Sequence, residues 1–137
     1  LRQDPGSKVI IMGDMNDDPN NKSMTEGLQC KHKLKDVRSE HDLYNPWWDT
    51  LYKVGQGSLL YDGKWNLFDQ IVLSGNLISQ DRSNLAFYRH EVFVRDYLFQ
   101  QEGKYRGNPK RTHAGGVWLN GYSDHLPTIV YLVKELK

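Results

Sequence analysis

Short runs of consecutive apolar residues, each closed by glycine, proline or a polar cluster, dominate the pattern along this chain. Runs of this length, flanked by turn formers, are typical of buried strands rather than of helices. Residues 58–61 and 64–67 also flank Asp62-Gly63, a pair that favours a two-residue hairpin turn. The strands predicted for the core are residues 8–13, 68–74 and 128–133.

Weaker patterns predict two more strands and two short helices. Residues 85–88 and 91–94 are strand candidates, because they are rich in aromatic and β-branched side chains. Ser23 and Glu26 have the spacing of a capping box, which predicts the start of a short helix. Asp96 is predicted to cap a second short helix that follows it.

The segment of residues 103–116 is predicted to be a long loop. It holds four glycines and five residues with basic side chains, counting His113. Long loops in compact domains are often functional. Tyr105 among basic residues suits a phosphate-rich ligand, but a solvated basic loop explains the same pattern. The sequence leaves both interpretations open.

Composition limits the class of protein more than it defines it. The 137 residues suit one compact domain, and 18 basic against 17 acidic residues give a net charge of +1. No overall field therefore favours a nucleic acid or a membrane surface. Cys30 is the single cysteine, which excludes an internal disulfide and a cysteine-built zinc site. No apolar run approaches the roughly 20 residues that span a bilayer, and no signal-peptide pattern is present.

Polar residues with chemical potential lie where the predicted core strands begin or end. Asp14 and Asn16 follow the first strand, and Asp124 and His125 precede the last one. Because rigid strands hold the adjoining loop residues in place, we expect these two loops to meet. Asp69 begins the middle strand, where a carboxylate among apolar residues needs a hydrogen-bonding or cationic partner.

Two carboxylates, an amide and an imidazole suit the hydrolysis of a phosphate ester. Such a reaction needs a divalent cation, a base for the attacking water and donors for the developing charge. Mg²⁺ takes oxygen ligands, commonly one or two carboxylates, which Asp124 or Asp14 could supply. His125 would donate to a phosphoryl oxygen, and Asp69 is the candidate for orienting its ring. Each residue alone is more often a turn former or a structural group, so the prediction rests on their combination.

Three motifs, in this order, resemble the endonuclease/exonuclease/phosphatase family of metal-dependent phosphoesterases. They are Gly13-Asp14-Met15-Asn16 after an apolar strand, Phe68-Asp69-Gln70-Ile71-Val72-Leu73-Ser74 in the middle, and Ser123-Asp124-His125-Leu126-Pro127 before a terminal strand. The resemblance spans residues 9–133, nearly the whole chain.

The resemblance implies an α/β (α+β) fold, a four-layer sandwich of mostly antiparallel sheets with helices outside. It also implies a role for each matching residue. Asp14 would position or deprotonate the attacking water, and Asn16 would hold the scissile phosphate. Asp124, together with Asp14, would bind Mg²⁺ or Mn²⁺. His125 would stabilise the phosphoryl transition state, paired with Asp69.

The same resemblance implies that part of the site lies upstream of residue 1. The family's pattern includes an earlier amide, a metal-binding glutamate and often a second histidine, and Glu26, Glu40 and Glu91 match none of these positions. We therefore expect residues 1–137 to form the C-terminal portion of a single domain. We expect the missing N-terminal half, or a second copy of the chain, to cover the exposed sheet.

The sequence does not identify the substrate. The near-neutral charge argues against gripping long stretches of DNA, so a sugar phosphate or a lipid head group is as plausible as nucleic acid. The alternative from another class is a non-catalytic module that binds ions or partners and retains the fold. If the chain belongs to an enzyme, we expect the parent protein to hydrolyse phosphoesters and this fragment alone to be inactive.

Overall fold

Nine short strands make up most of the regular structure of residues 3–137, the part of the chain that the computed structural model describes. The strands pair in antiparallel fashion. With few and short helices, the molecule has the predicted mixed α+β class. The strands are β1 (Ile10–Asp14), β2 (Leu43–Tyr44), β3 (Leu59–Tyr61), β4 (Lys64–Asn66), β5 (Asp69–Ser74), β6 (Ala86–Val92), β7 (His113–Ala114), β8 (Val117–Trp118) and β9 (Thr128–Val133).

Helical structure is confined to short segments. The α-helical turn Trp47–Asp49 continues directly into a π-helical turn at Thr50–Val54. The other turns are Ser23–Gly27, Leu34–Asp36, Gly75–Leu77 and Asp96–Leu98. Within residues 3–137 no helix has the length and apolar character that crossing a membrane requires.

Strand β5 is the centre of the fold, and it confirms the predicted buried strand. It lies between β1 and β2, and five of its six residues are buried. Ile71 and Leu73 belong to the hydrophobic core, while Gln70, Val72 and Ser74 alternate with them along the strand. The three consecutive apolar residues Ile71, Val72 and Leu73 fit a strand that is buried on both faces. The remaining core residues are Trp47, Leu67, Leu77, Val92, Leu98 and Leu126.

Strand β1 forms where the sequence predicts it, but the prediction that it is buried is wrong. It is an edge strand of the β1-β5-β2 sheet, and the Met12 side chain is 71% exposed. The apolar run predicts the extended conformation correctly, because β-branched residues favour strands whether or not they are covered. Its burial depends on a neighbour that residues 3–137 do not supply.

The β3–β4 hairpin is confirmed with its predicted turn. Asp62 and Gly63 have φ values of 49° and 73°, the left-handed pair that a type I′ turn requires. By contrast, the two strands predicted at residues 85–88 and 91–94 are one strand, β6, which pairs with β9 through a register shift between Phe87 and Arg89. Of the two polar residues that interrupt the apolar pattern, Arg89 is exposed and His90 is half-buried.

Both capping predictions are wrong, because neither turn has the predicted side-chain cap hydrogen bond. Ser23 lies inside a π-helical turn that has no side-chain cap, and its hydroxyl donates instead to the Asp17 carboxylate over 2.6 Å. Asp96 lies within its 3₁₀ turn, which also lacks a side-chain cap. A side chain that can cap a helix can also bond to other nearby groups, as Ser23 does with Asp17.

The terminal strand β9 forms as predicted, although its residues are half-buried rather than fully buried. The predicted long loop before it contains the two-residue strand β7, which pairs with β8 just after the loop as a small hairpin. The chain therefore enters the Asp124-His125 loop from an ordered segment.

Candidate functional site

The strand register brings Asp14 and Asp69 to the same end of the β1-β5-β2 sheet. Asp14 is the last residue of β1 and pairs in register with Asp69, the first residue of β5. The Met15 backbone N–H donates to the Phe68 carbonyl over 2.8 Å, so the ladder continues just past the two carboxylates. The two acidic side chains are thus fixed by backbone pairing and not by loop conformation.

His125 reaches the same place from the other end of the chain. Its backbone bridges to Leu59 at the start of β3, and the Leu126 N–H donates to the Ser58 carbonyl over 2.6 Å. One donor atom from each of Asp14, Asp69 and His125 lies within 4.8 Å of the other two. The prediction that the two loops meet is confirmed.

The closest contact in this group joins Asp69 to His125. The Asp69 Oδ2 atom lies 2.7 Å from His125 Nδ1, and both side chains are mostly buried. An ionised carboxylate can only accept, so the proton of a neutral His125 ring lies on Nδ1. The other ring nitrogen, Nε2, is then the atom that can face a substrate.

Ser58 supports this pair, although nothing in the sequence pattern predicted it. Its side chain is fully buried, and its hydroxyl donates to Asp69 Oδ2, the atom that also contacts His125. The Asp69 backbone N–H donates back to the same hydroxyl over 3.3 Å. A Cβ on the preceding Gly57 would lie 2.4 Å from the Asn66 carbonyl, so glycine is required for this approach. A Gly-Ser pair before a hairpin carries no recognisable chemical signal.

Asn16 is placed beside Asp14 by an unusual backbone conformation. Its φ is 52°, in the left-handed region that asparagine tolerates better than most residues. The Asn16 backbone N–H donates to Asp14 Oδ1 over 2.9 Å, which holds that carboxylate oxygen in place. The second oxygen of Asp14 is left for a ligand.

Buried polar groups fix the rest of the loop after β1. Asp18 accepts from the Leu67 backbone N–H and from the Asn66 side chain, over 2.8 and 2.7 Å. The buried Gln70 amide donates to the Asp17 carbonyl over 2.6 Å and accepts from the Asn45 side chain. Because such groups are costly to leave unpaired, these bonds pin the loop to β5. Their partners are distant in sequence, so no local motif announces them.

Asp18 also borders a cavity of about 320 Å³ beside the site. Burial and the Asp18 charge raise the pKa of the Tyr52 phenol there. The cavity is lined by Asp18, Asn20, Leu51, Tyr52, Gly55, Lys64 and Trp65.

Asp124 differs from the other predicted site residues. It lies outside the group formed by Asp14, Asp69 and His125, and its Oδ2 atom is 3.6 Å from Arg111 Nη2. Both side chains of this ion pair are half exposed or more. The predicted metal pair of Asp14 and Asp124 is therefore not part of one tight cluster in this structure.

The donor set at the site suits a hard divalent cation. Mg²⁺ prefers oxygen ligands and commonly binds one or two carboxylates, with water completing its shell. Among residues 3–137, one oxygen of Asp14 has no hydrogen-bond partner, and Asp124 pairs with the exposed Arg111 cation. Asp69 Oδ2 is already shared by Ser58 and His125, so this atom is better placed to orient the ring than to bind a metal.

A comparison with known families agrees with this geometry. The family model described as the endonuclease/exonuclease/phosphatase family matches residues 1–134. Neither the curated proteins nor the solved structures gave a match. Members of the family typically use divalent metals, and the match indicates phosphoester hydrolysis in general. Since the matched region covers nearly the whole sequence, the chain belongs to the endonuclease/exonuclease/phosphatase family.

Proposed function

We propose that this chain carries catalytic groups for the hydrolysis of a phosphodiester in the presence of Mg²⁺ or Mn²⁺. The observation that carries the proposal is the convergence of Asp14, Asp69 and His125 within 4.8 Å. Three groups from distant parts of the chain meet at one strand end, with a buried hydroxyl behind them. Among residues 3–137, His125 Nδ1 pairs with Asp69 and no partner occupies Nε2, which suits contact with a substrate.

Asp14 and Asn16 act on the nucleophile and the substrate in this proposal. The free carboxylate oxygen of Asp14 positions the attacking water and accepts its proton. The Asn16 side-chain amide donates to a non-bridging oxygen of the scissile phosphate. The hydrogen bond from the Asn16 backbone to Asp14 keeps the two groups in register.

His125 stabilises the charge that develops on the phosphoryl group. Its Nε2 donates to a phosphoryl oxygen, and the Asp69 carboxylate at Nδ1 stabilises the cationic ring that this requires. Ser58 holds the carboxylate, so the ring orientation is set before substrate binds. Positioning of this kind is the main contribution that a protein makes to phosphoryl transfer.

Asp14 and Asp124 are the proposed ligands of the divalent cation. When bound, such an ion polarises the phosphoryl group and neutralises part of its charge. The choice between Mg²⁺ and Mn²⁺ is left to the assay.

We also propose that residues 1–137 are the C-terminal portion of the domain and hold only part of the site. The support is the exposed apolar edge strand β1, which ends at Asp14 itself. A second polypeptide segment beside β1 would cover Met12 and bring further ligands close to Asp14. The fragment alone would then be slower by orders of magnitude, because interdependent catalytic groups fail together.

The test is the hydrolysis of a chromogenic phosphodiester by the full-length protein with Mg²⁺ or Mn²⁺. Asp14→Ala and His125→Ala are each expected to lower kcat at least a hundredfold, and a chelator to abolish activity. Asp62→Asn is the matched control, because it removes a carboxylate from a hairpin turn that asparagine fits. Activity that survives both the chelator and the two site variants would refute this mechanism, and no hydrolysis by the unmodified full-length protein would favour the non-catalytic module instead.

A further inference from the structure

Residues 103–122, here called the aromatic-basic segment, carry a concentration of charge that the rest of the chain lacks. The segment contains four Lys or Arg residues and no Asp or Glu. Outside it, acidic residues outnumber basic ones, although the whole chain is nearly neutral. A local cationic surface is thus present despite a net charge of only +1.

The backbone of this segment is held by hydrogen bonds. The Lys110 N–H donates to the Leu98 carbonyl over 2.7 Å, and the Leu119 N–H donates to the Thr112 carbonyl over 2.7 Å. Strands β7 and β8 close a tight hairpin between them. A Cβ on Gly121 would lie 2.0 Å from the Lys110 carbonyl, so the backbones approach as closely as glycine permits. The side chains therefore project from an ordered base.

Four aromatic rings are exposed on and beside this base. Tyr105, Trp118 and Tyr122 of the segment, together with Tyr97, are between 58% and 71% exposed. Tyr97 and Tyr122 contact each other edge to face, with ring centroids 5.7 Å apart. Single exposed aromatics are ordinary, but several around one cationic segment indicate a binding surface.

The aromatic-basic segment leads directly into the catalytic loop. Arg111 belongs to the segment, and its guanidinium lies 3.6 Å from the carboxylate of Asp124, next to His125. The ion pair is exposed, so the cation is accessible to an anionic ligand. A phosphate chain lying on the segment could therefore continue into the site.

A ligand that matches both features is a polyanion that carries flat aromatic groups. Cations that track a backbone and rings that stack on successive bases are the features by which proteins bind single strands. We propose that the aromatic-basic segment binds single-stranded nucleic acid and presents one of its phosphodiesters to the site. This inference rests on the proposed function and adds a substrate class to it.

The arrangement of the rings favours bases over a lipid surface. The Lys104 ammonium lies 5.4 Å from the centroid of the Tyr105 ring, so a cation and a ring adjoin at this point of the surface. Val117 is the one large aliphatic side chain that the segment exposes. Membrane insertion relies on a broader apolar face.

The first experiment measures binding of a fluorescein-labelled oligothymidylate of 20 nucleotides by fluorescence anisotropy. A chelator is present so that no hydrolysis occurs. Trp118→Ala and Tyr105→Ala are each expected to weaken binding about five- to tenfold, the cost of one lost stacking contact. Lys104→Gln combined with Arg106→Gln is expected to weaken binding and to flatten its salt dependence by about 0.7 in logarithmic slope per lost phosphate contact.

Two matched variants serve as controls. Tyr61→Ala removes an equally exposed ring from β3, and Lys35→Gln removes an exposed cation from the Leu34–Asp36 turn. Neither should change the affinity. As a direct readout of stacking, the oligomer should quench tryptophan emission in the unmodified protein and quench it less in Trp118→Phe.

Three results would overturn the inference. One is equal affinity for an abasic oligomer of the same length, which would remove the role of the rings. Another is loss of affinity in the controls as large as in the segment variants. The third is binding to phosphatidylglycerol vesicles through Trp118 without binding to the oligomer, which would assign the surface to membranes.

The chromogenic phosphodiester assay separates this inference from the proposed function. Hydrolysis of that small substrate without any oligomer binding would refute the nucleic-acid surface alone. Oligomer binding that is lost in the segment variants, in a protein that hydrolyses no phosphodiester, would refute the proposed function alone.

Discussion

Two histidines in this protein, His125 and His90, show how the partner of an imidazole decides its use. His125 contacts the Asp69 carboxylate over 2.7 Å at the edge of the candidate site. His90, in β6, contacts the hydroxyl of Thr50 over 2.9 Å and lies edge to face with Trp47, with ring centroids 4.9 Å apart. Both rings are partly buried, and each has one polar side-chain partner.

The surroundings of the two rings differ. Burial lowers the pKa of His90, and this effect outweighs the opposing influence of the Asp49 charge and of the Pro46 backbone. His90 is thus kept neutral as a packing group. His125 instead contacts a carboxylate, and the proposed mechanism requires its ring to donate to a phosphate from Nε2. The comparison predicts that changes around His125 affect catalysis and that changes around His90 affect stability.

The largest expected effect follows from replacing Asp69 by asparagine. Asp69→Asn keeps the size of the side chain but removes the charge that stabilises the imidazolium, so kcat should fall about a thousandfold. The Mg²⁺ concentration for half-maximal activity should stay nearly constant, because Asp69 orients the ring. Initial rates with the chromogenic phosphodiester, measured over a range of Mg²⁺ concentrations, provide the test.

Asp124→Asn is the matched variant for this measurement. Asp124 is a proposed metal ligand. Its replacement should therefore mainly raise the Mg²⁺ concentration for half-maximal activity. If Asp69→Asn raised the Mg²⁺ requirement as much as Asp124→Asn does, Asp69 would be a metal ligand and not a positioning residue.

A smaller effect is expected from Ser58→Ala. The loss of a buried hydroxyl that bonds to Asp69 should lower the free energy of unfolding by about 1–2 kcal/mol. It should also lower kcat about tenfold, because the carboxylate that orients His125 becomes mobile. Denaturant unfolding and steady-state kinetics on the same preparation measure both quantities.

Ser74→Ala controls for the purely structural part of this loss. Ser74 is also fully buried, and its hydroxyl bonds to the Val9 N–H and to Asn76, away from the site. The Ser74→Ala variant should lose a similar amount of unfolding free energy while its kcat is preserved. Equal losses of kcat in the two variants would show that Ser58 acts only through stability.

The sequence predicted the parts of the site that are local in the chain. Asp14, Asn16 and His125 lie in short motifs at strand ends, and the register of β1 with β5 then places two of the carboxylates together. A short apolar run bounded by turn-forming residues is a local signal, and this signal identified the strands that lead to the site. The same reasoning identified the Asp62-Gly63 hairpin turn.

The parts that the sequence could not predict depend on contacts between distant residues. Ser58 is eleven positions from Asp69, and Gln70 bonds to a carbonyl 53 positions away. The exposure of β1 and the fusion of two predicted strands into β6 have the same cause, because burial and register belong to the assembled sheet. His90 carries no local signal at all, since its neutral state arises only from packing.

The third prediction concerns the pH dependence of stability. The pKa of His90 in the folded protein lies below its ordinary value of 6.5, so at acidic pH the unfolded state binds a proton that the folded state resists. The free energy of unfolding should therefore decrease as the pH falls through 6.5 and continue to decrease until the folded pKa is passed. Denaturant titrations between pH 7.5 and about pH 4.5 measure this decrease.

His90→Gln is the variant that isolates the contribution of this ring. Glutamine can still bond to the Thr50 hydroxyl but does not titrate, so the variant should lose part of the acid-induced decrease. An unchanged pH profile in His90→Gln would place the acid sensitivity elsewhere, with the carboxylates as the first candidates.

The smallest effect is expected from Asp49→Asn, which tests the one opposing charge near His90. The Asp49 carboxylate raises the pKa of His90, so its removal should lower that pKa further below 6.5. The gap between the folded and unfolded values then widens, and the acid-induced loss of stability should become slightly larger. The exposed ion pair of Asp49 with Lys53 contributes little to stability, so stability at neutral pH should change by less than about 1 kcal/mol. An NMR titration of the His90 ring in both proteins measures the shift directly. A His90 pKa that rises in Asp49→Asn would contradict the assignment of the Asp49 charge as an influence that raises this pKa.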